Sequence, residues 1–143
     1  MDRELAINEK VQTPKISCAI VVRLDERINV SLVIHDLQKI GIHNVVTRKP
    51  RYDSSVCLSV VLVHNEEFWE INTALDKMFS KINSCLPQFK RIVKKYGGTV
   101  YIDVAFYQYG TYPALVFSGK NMEKIHYLEA NISIDPYDYT ASV

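Results

Sequence analysis

At two places in this chain, one strand pattern follows another with no helix pattern between the two strands. This feature limits the possible folds most. The first pair covers Ile42–Arg48 and Val56–Val63, and the second covers Thr99–Tyr107 and Ala114–Phe117. Neighbouring parallel strands need a long crossover, usually a helix, whereas antiparallel strands need only a short turn. The order β-α-β-β-α-β-β-α-β therefore predicts an α+β fold, with a mostly antiparallel sheet and helices packed on one face.

The strand patterns differ in which faces are apolar. Ile16–Leu24 alternates apolar residues onto one face and keeps the other face fairly apolar too. Val56–Val63 is apolar on both faces, which is typical of a central strand. Thr99–Tyr107 has one apolar and one mixed face, the pattern of a half-solvated sheet. A last strand, about Ala130–Asp135, is expected to end at Pro136.

Polar residues ahead of the apolar stripes predict where the helices begin. Asn29 or Ser31 caps the first helix, and Ser118 caps the last. Asn65 is expected to cap a long middle helix, which Pro87 breaks or restarts. The first turn of that helix would then contain three acidic residues, whose charge suits the helix dipole: Glu66, Glu67 and Glu70.

Length and composition predict one domain over residues 1–143, in which residues 1–14 form a flexible or edge segment. Seventeen basic and sixteen acidic residues leave a net charge of +1, so a nucleic-acid partner is not favoured. The N-terminus lacks the apolar run of a secretory signal, and no apolar stretch is long enough to span a bilayer. Three cysteines without CxxC spacing suit a reducing compartment, so we expect a cytoplasmic protein without membrane contact.

Motifs for catalysis or metal binding are missing from the sequence. The four histidines are far apart and match no metal-ligand spacing. Neither a GxSxG elbow, a P-loop nor a GxGxxG segment occurs. The two apolar-strand cysteines, Cys18 and Cys57, are expected to be buried and inert. The sequence therefore predicts no enzyme, no cofactor and no metal ion.

Clustered tyrosines beside carboxylates are the least routine feature of the chain. Tyrosine anchors many protein interfaces, because it offers a large contact area with little rotamer entropy to lose. If the fourth and last strands are neighbours, these residues meet at one end of the sheet. The predicted partner-binding residues are Tyr107, Tyr109, Tyr112, Asp135, Tyr137 and Asp138. The alternative, that these tyrosines seal the rim of the core, stays open.

Basic residues suggest a second functional hypothesis. Arg48, Lys49 and Arg51 could contact phosphates in a regulatory module that binds RNA or a small ligand. A second basic set follows helical spacing and is interpreted as a solvated helix face. It consists of Lys90, Arg91, Lys94 and Lys95.

The C-terminal third and the order of elements resemble a bacterial family catalogued as domain of unknown function 4279. The resemblance lies in the string PALVFS at 113–118, a helix through Ile125 and Leu128, the string ISID at 132–135 and Tyr137. The opening strand and helix, and the long helix before Gly97-Gly98, agree in order and length. The resemblance covers about residues 16–139.

That resemblance implies a function but no catalytic residues. Many members are encoded beside polymorphic toxins, including those of contact-dependent growth inhibition, and are taken to be their immunity proteins. It implies a cytosolic toxin inhibitor that binds a cognate toxin domain and covers its active site. The toxin's identity and the oligomeric state are left open.

Overall fold

The computed structural model describes residues 12–50 and 53–138, except the side chain of Asp138. The strands are β1 (Lys15–Leu24), β2 (Val46–Arg48), β3 (Val56–Glu67), β4 (Thr99–Gln108) and β5 (Asn131–Asp138). The helices are α1 (Val30–Lys39), α2 (Ile71–Ser80), α3 (Leu86–Lys95) and α4 (Gly119–Tyr127), and a 3₁₀ turn (Asn83–Cys85) precedes α3.

The five strands form one sheet in the order β2-β3-β1-β4-β5. All neighbouring pairs are antiparallel except β4 and β5, which run parallel and are joined through α4. That exception has a simple cause, because a helical crossover returns the chain in the same direction. The expected α+β class with a mostly antiparallel sheet is confirmed.

The core lies between the helices and one face of the sheet. Five alternate residues of β1 are at most 2% exposed on this face: Ile16, Cys18, Ile20, Val22 and Leu24. The predicted stripe of α2 packs on them, with Leu75, Met78 and Phe79 fully buried. The Cys18 thiol donates a hydrogen bond to the Ala74 carbonyl oxygen of this helix at 3.4 Å. Apolar burial on one face therefore fixes which side chains of β1 point into the core.

Two of the predicted helix starts are confirmed by their capping hydrogen bonds. The Asn29 Oδ1 atom accepts from the Ser31 amide at 3.1 Å. The Ser118 hydroxyl accepts from the Asn121 amide at the same distance. Pro87 lies in the first turn of α3, where its missing N–H costs no helical hydrogen bond.

The predicted start of the middle helix is wrong. Asn65 does not cap a helix but lies inside β3, with a left-handed φ of 52°. Its amide donates to the Ser17 hydroxyl at 2.8 Å, where the pairing of β1 with β3 shifts register. Pairing with β1 extends β3 to Glu67, so α2 begins only at Ile71. The hydrogen bonds of the long ladder between β1 and β3 outweigh the local preference of Asn65 for a helix cap.

The predicted strand Ala114–Phe117 is also wrong. Only Ala114 pairs, in an isolated bridge with Glu70. Its amide donates to the Trp69 carbonyl at 2.9 Å, and its carbonyl accepts from the Ile71 amide at 3.1 Å. The observed order is therefore β-α-β-β-α-α-β-α-β, with the broken middle helix as two helices. The second strand is shorter than expected, since it begins at Val46 rather than Ile42.

The last strand continues through Pro136 to Asp138 instead of ending before the proline. Proline cannot donate to a ladder, but it is tolerated in a strand at the edge of a sheet. β5 is such a strand, because it pairs with β4 alone in the described sheet.

Candidate functional site

The face of the sheet opposite the helices carries residues of all five strands, and we name it the open face. Directly paired residues point to the same side of a sheet. The central row on this face crosses four strands and consists of Leu62, Ala19, Asp103 and Ser133. On one side of it lies the row Ser17, Ala105 and Asp135. On the other side lies the row Val46, Ser59, Val21, Tyr101 and Asn131.

One end of the open face carries the tyrosine end, which we define as the row Glu67, Lys15, Tyr107 and Tyr137. The rings of Tyr107 and Tyr137 are stacked, with centroids 5.1 Å apart and planes inclined by 16°. Tyr137 remains 46% exposed. Asp135 precedes it by two residues on the same face of β5, so a carboxylate lies next to the stack.

The structure brings together three of the six predicted partner-binding residues. Tyr107, Asp135 and Tyr137 share the open face, because β4 and β5 are neighbours in register. Tyr112 instead meets buried Phe106 edge-on, with ring centroids 6.1 Å apart, so it belongs to the helix side. Tyr109 is half-buried just beyond β4. Asp138 ends β5 opposite Gln108, and its side chain lies outside the described part.

A groove of about 410 Å³ runs across the middle of the open face, next to the tyrosine end. Its floor includes Ala19 and Leu62. Arg48 and Val46 of β2 line it on one side, and Asp103 and Asp135 line it on the other; His64, Ser59 and Ser133 contribute further polar groups. A volume of this size lies within the range of small-molecule sites.

The groove separates positive from negative charge. Burial raises the pKa of the Asp103 carboxyl, the nearby Arg48 guanidinium acts to lower it, and the Asp135 carboxylate acts to raise it. Arg48 and Asp135 therefore both lie close enough to Asp103 to influence its charge. In the described residues, no ion pair within 4.0 Å neutralises either Asp103 or Asp135.

Sequence reasoning missed Asp103, Ser59 and His64 as site residues. Asp103 could have been noticed, because a carboxylate in the middle of an otherwise apolar strand must be solvated or paired. Ser59 could also have been noticed as a hydroxyl within an apolar central strand. Nothing local marks His64, which reaches the groove only through the irregular pairing of β3 with β1.

The predicted basic set does not form one patch in the described structure. Arg48 points onto the open face, in the row of Cys57 and Arg23. Lys49 is exposed beyond the end of β2, and Arg51 lies outside the described residues. The second basic set follows α3, where Lys95 pairs with Asp36 of α1 at 2.9 Å. That helix packs on α1, so its cations serve at least partly in ion pairing.

Burial makes the thiols of Cys18 and Cys85 harder to ionise. Burial raises the pKa of the Cys18 thiol to about 12, which keeps the thiol protonated at neutral pH. Burial also raises the pKa of the Cys85 thiol.

Glu66, expected in a helix, lies in β3 and forms an ion pair with Lys77 of α2. Among residues 12–50 and 53–138, no three His, Cys, Asp or Glu side chains are grouped as metal ligands are.

None of the helices in the described ranges has the length and apolar character needed to cross a bilayer. Comparison with known proteins returned no matching family model, no matching curated protein and no matching solved structure.

Proposed function

We propose that this chain is a cytoplasmic immunity protein, which binds a cognate bacterial toxin domain and covers its active site without catalysing a reaction. The observation that carries the proposal is the stack of half-buried Tyr107 on exposed Tyr137, beside Asp135 on the open face. The resemblance of the sequence to a family rich in immunity proteins supplies the kind of partner.

The chemistry of the tyrosine end suits a protein partner. Stacked rings hold each other in place, so little further side-chain entropy is lost when a partner covers them. Exposed aromatic residues near the centre of an interface are frequent hot spots. Asp135, also exposed, offers a carboxylate to a basic cleft, and such complementarity increases association rates.

The direct test is binding between this chain and a toxin-like C-terminal module encoded directly upstream. We expect co-purification and a dissociation constant well below micromolar, because protection of a cell requires tight binding. The complex should also suppress the activity of the toxin in vitro. Two folded proteins that show no binding at micromolar concentrations would overturn the proposal.

The second candidate is a non-catalytic module that binds RNA or a small ligand, and the groove favours the small ligand. For RNA, affinity that depends on several phosphate contacts should fall by orders of magnitude between low and physiological salt. An electrophoretic shift assay with single-stranded RNA at low salt tests this. Absence of a shift there would remove RNA as the partner.

A further inference from the structure

We propose that the groove on the open face is a binding site for a small zwitterionic molecule, whose cationic group lies at Asp103 and Asp135 and whose anionic group lies at Arg48. This inference goes beyond toxin neutralisation and does not depend on it. It rests on the groove, its charges and the Ser59 hydroxyl that lines it.

The two carboxylates supply the cation-binding side. Asp103 on β4 and Asp135 on β5 both face the groove from neighbouring strands, and Asp103 is half-buried. Burial and the charge of Asp135 both disfavour ionisation of Asp103, and a ligand cation placed between the two carboxylates would favour the ionised form by direct attraction. Hydrogen bonds between ionised partners are among the strongest in proteins.

Arg48 supplies the anion-binding side. It lines the groove from β2, which β3 and β1 separate from the β4 strand of Asp103, and no described carboxylate lies within salt-bridge distance of it. A guanidinium can bind a carboxylate or phosphate through two parallel hydrogen bonds. Its positive charge in the same groove also disfavours a bare divalent metal ion, although two carboxylates are present.

The floor of the groove between these charges suits a ligand whose two charged groups are joined by a short apolar chain, and it adds one polar contact. Ala19 and Leu62 present aliphatic surface there, and Leu62 is 48% exposed. Ser59 is only 9% exposed, and its hydroxyl lines the groove without a partner among the described residues. A serine hydroxyl can both donate and accept a hydrogen bond, so this group can contact a ligand in the groove.

The probes are three ω-amino acids that differ in length: 4-aminobutanoate, 5-aminopentanoate and 6-aminohexanoate. Pentylamine and pentanoate, each with one of the two charges, are the matched controls. Binding is measured by two-dimensional amide NMR titration of the full chain. We expect saturable shifts at Ala19, Asp103 and Ser133 with at least one amino acid, and affinity about 10-fold or more above both controls.

Three isosteric or near-isosteric variants test the assignment of each charge: Asp103→Asn, Asp135→Asn and Arg48→Gln. Each variant should bind the tightest-binding probe with an affinity about 10-fold lower than wild type. The variant Glu123→Gln, at an exposed position on α4, should bind this probe with unchanged affinity. Asp135 is exposed, so its variant keeps the test valid even if Asp103→Asn disturbs folding.

Three outcomes overturn the proposal. The first is that no amino acid in the series causes saturable shifts at about 10 mM, a concentration that detects very weak sites. The second is that pentylamine or pentanoate binds as tightly as the best amino acid. The third is that Asp135→Asn and Arg48→Gln both bind like the wild type. None of these outcomes bears on toxin binding, since no toxin is present.

Discussion

Tyr107 and Tyr137 stack across β4 and β5 from directly paired positions, with their ring planes inclined by 16°. The two residues are 30 positions apart in the chain, and the α4 crossover brings them side by side. Because the two residues are directly paired, both rings lie on the same side of the sheet, which is the open face. The strand pairing thus joins two separate tyrosines into one aromatic stack, whose Tyr137 side is exposed.

We predict that Tyr137→Ala weakens binding to the proposed toxin partner more than it weakens the fold. Tyr137 is 46% exposed, so its removal should cost about 0.5–1.5 kcal/mol of stability for the lost aromatic pair, with a further contribution from the buried part of its side chain. Partner affinity should fall by about 2 kcal/mol or more, as expected for a hot spot. Thermal unfolding and binding to the toxin domain are measured separately.

Tyr112→Ala is the matched control for that experiment. Tyr112 is more exposed, at 63%, but contacts Phe106 on the helix side of the sheet. Its loss should leave partner affinity within a few-fold of wild type. Equal losses of affinity in both variants, or a loss confined to Tyr112→Ala, would contradict the placement of the interface on the open face.

We predict that Asp103→Asn raises the melting temperature at pH 7. The pKa of Asp103 is raised in the folded state, so this state binds a proton more readily than the unfolded chain. Stability therefore decreases as pH rises from the unfolded pKa, near 3.8, through the folded pKa, and asparagine escapes this penalty. The gap between variant and wild type should narrow as pH falls toward 4.

Asp25→Asn provides a control of opposite sign. Hydrogen bonds from Arg27 lower the pKa of Asp25, so its stabilising effect is present at neutral pH and lost as pH falls. This variant should be slightly less stable than wild type at pH 7. A lower melting temperature for Asp103→Asn at pH 7, with no pH-dependent difference, would show that Asp103 serves mainly as a structural hydrogen-bond partner.

We predict that Asn121→Ala weakens the packing of α4 on α2 and so destabilises the fold. Asn121 is fully buried, and its side-chain amide donates to Asn72 Oδ1 and Asp76 Oδ1, both at 2.8 Å. Losing these bonds should reduce the free energy of unfolding by about 1–3 kcal/mol in urea titrations. Exposed Asn83→Ala should change it by no more than about 0.5 kcal/mol. Equal effects would argue against this polar contact as the link.

We predict that Gly98→Ala destabilises the fold through a steric clash. A Cβ atom at Gly98 would lie 2.9 Å from Val22 Cγ1 and 3.1 Å from Leu24 Cδ2, both buried core residues. Overpacking of this kind typically costs about 1–3 kcal/mol. Gly119→Ala is the comparison, because nothing lies within 4 Å and alanine favours a helix. It should be neutral or stabilising by up to about 1 kcal/mol.

The candidate site was only partly accessible to prediction. The polar residues of β4 follow from alternation, and the meeting of Tyr107, Asp135 and Tyr137 follows once the fourth and last strands are assumed to be neighbours. Tyr112 could not be placed, since it follows a turn whose path depends on packing against Phe106. Arg48 and Asp103 are 55 positions apart in the sequence, so no local pattern predicts that they line the same groove.

By itself, the sequence determined the class of the fold, the apolar face of β1 and the caps at Asn29 and Ser118. These properties depend on local periodicity and on side chains that bond to their own backbone. Only the tertiary structure decided that β3 runs on to Glu67, that Ala114 makes one bridge, and that β5 passes through Pro136. The stability of each of these three features depends on hydrogen-bond partners in distant parts of the chain, so local propensity cannot specify these features.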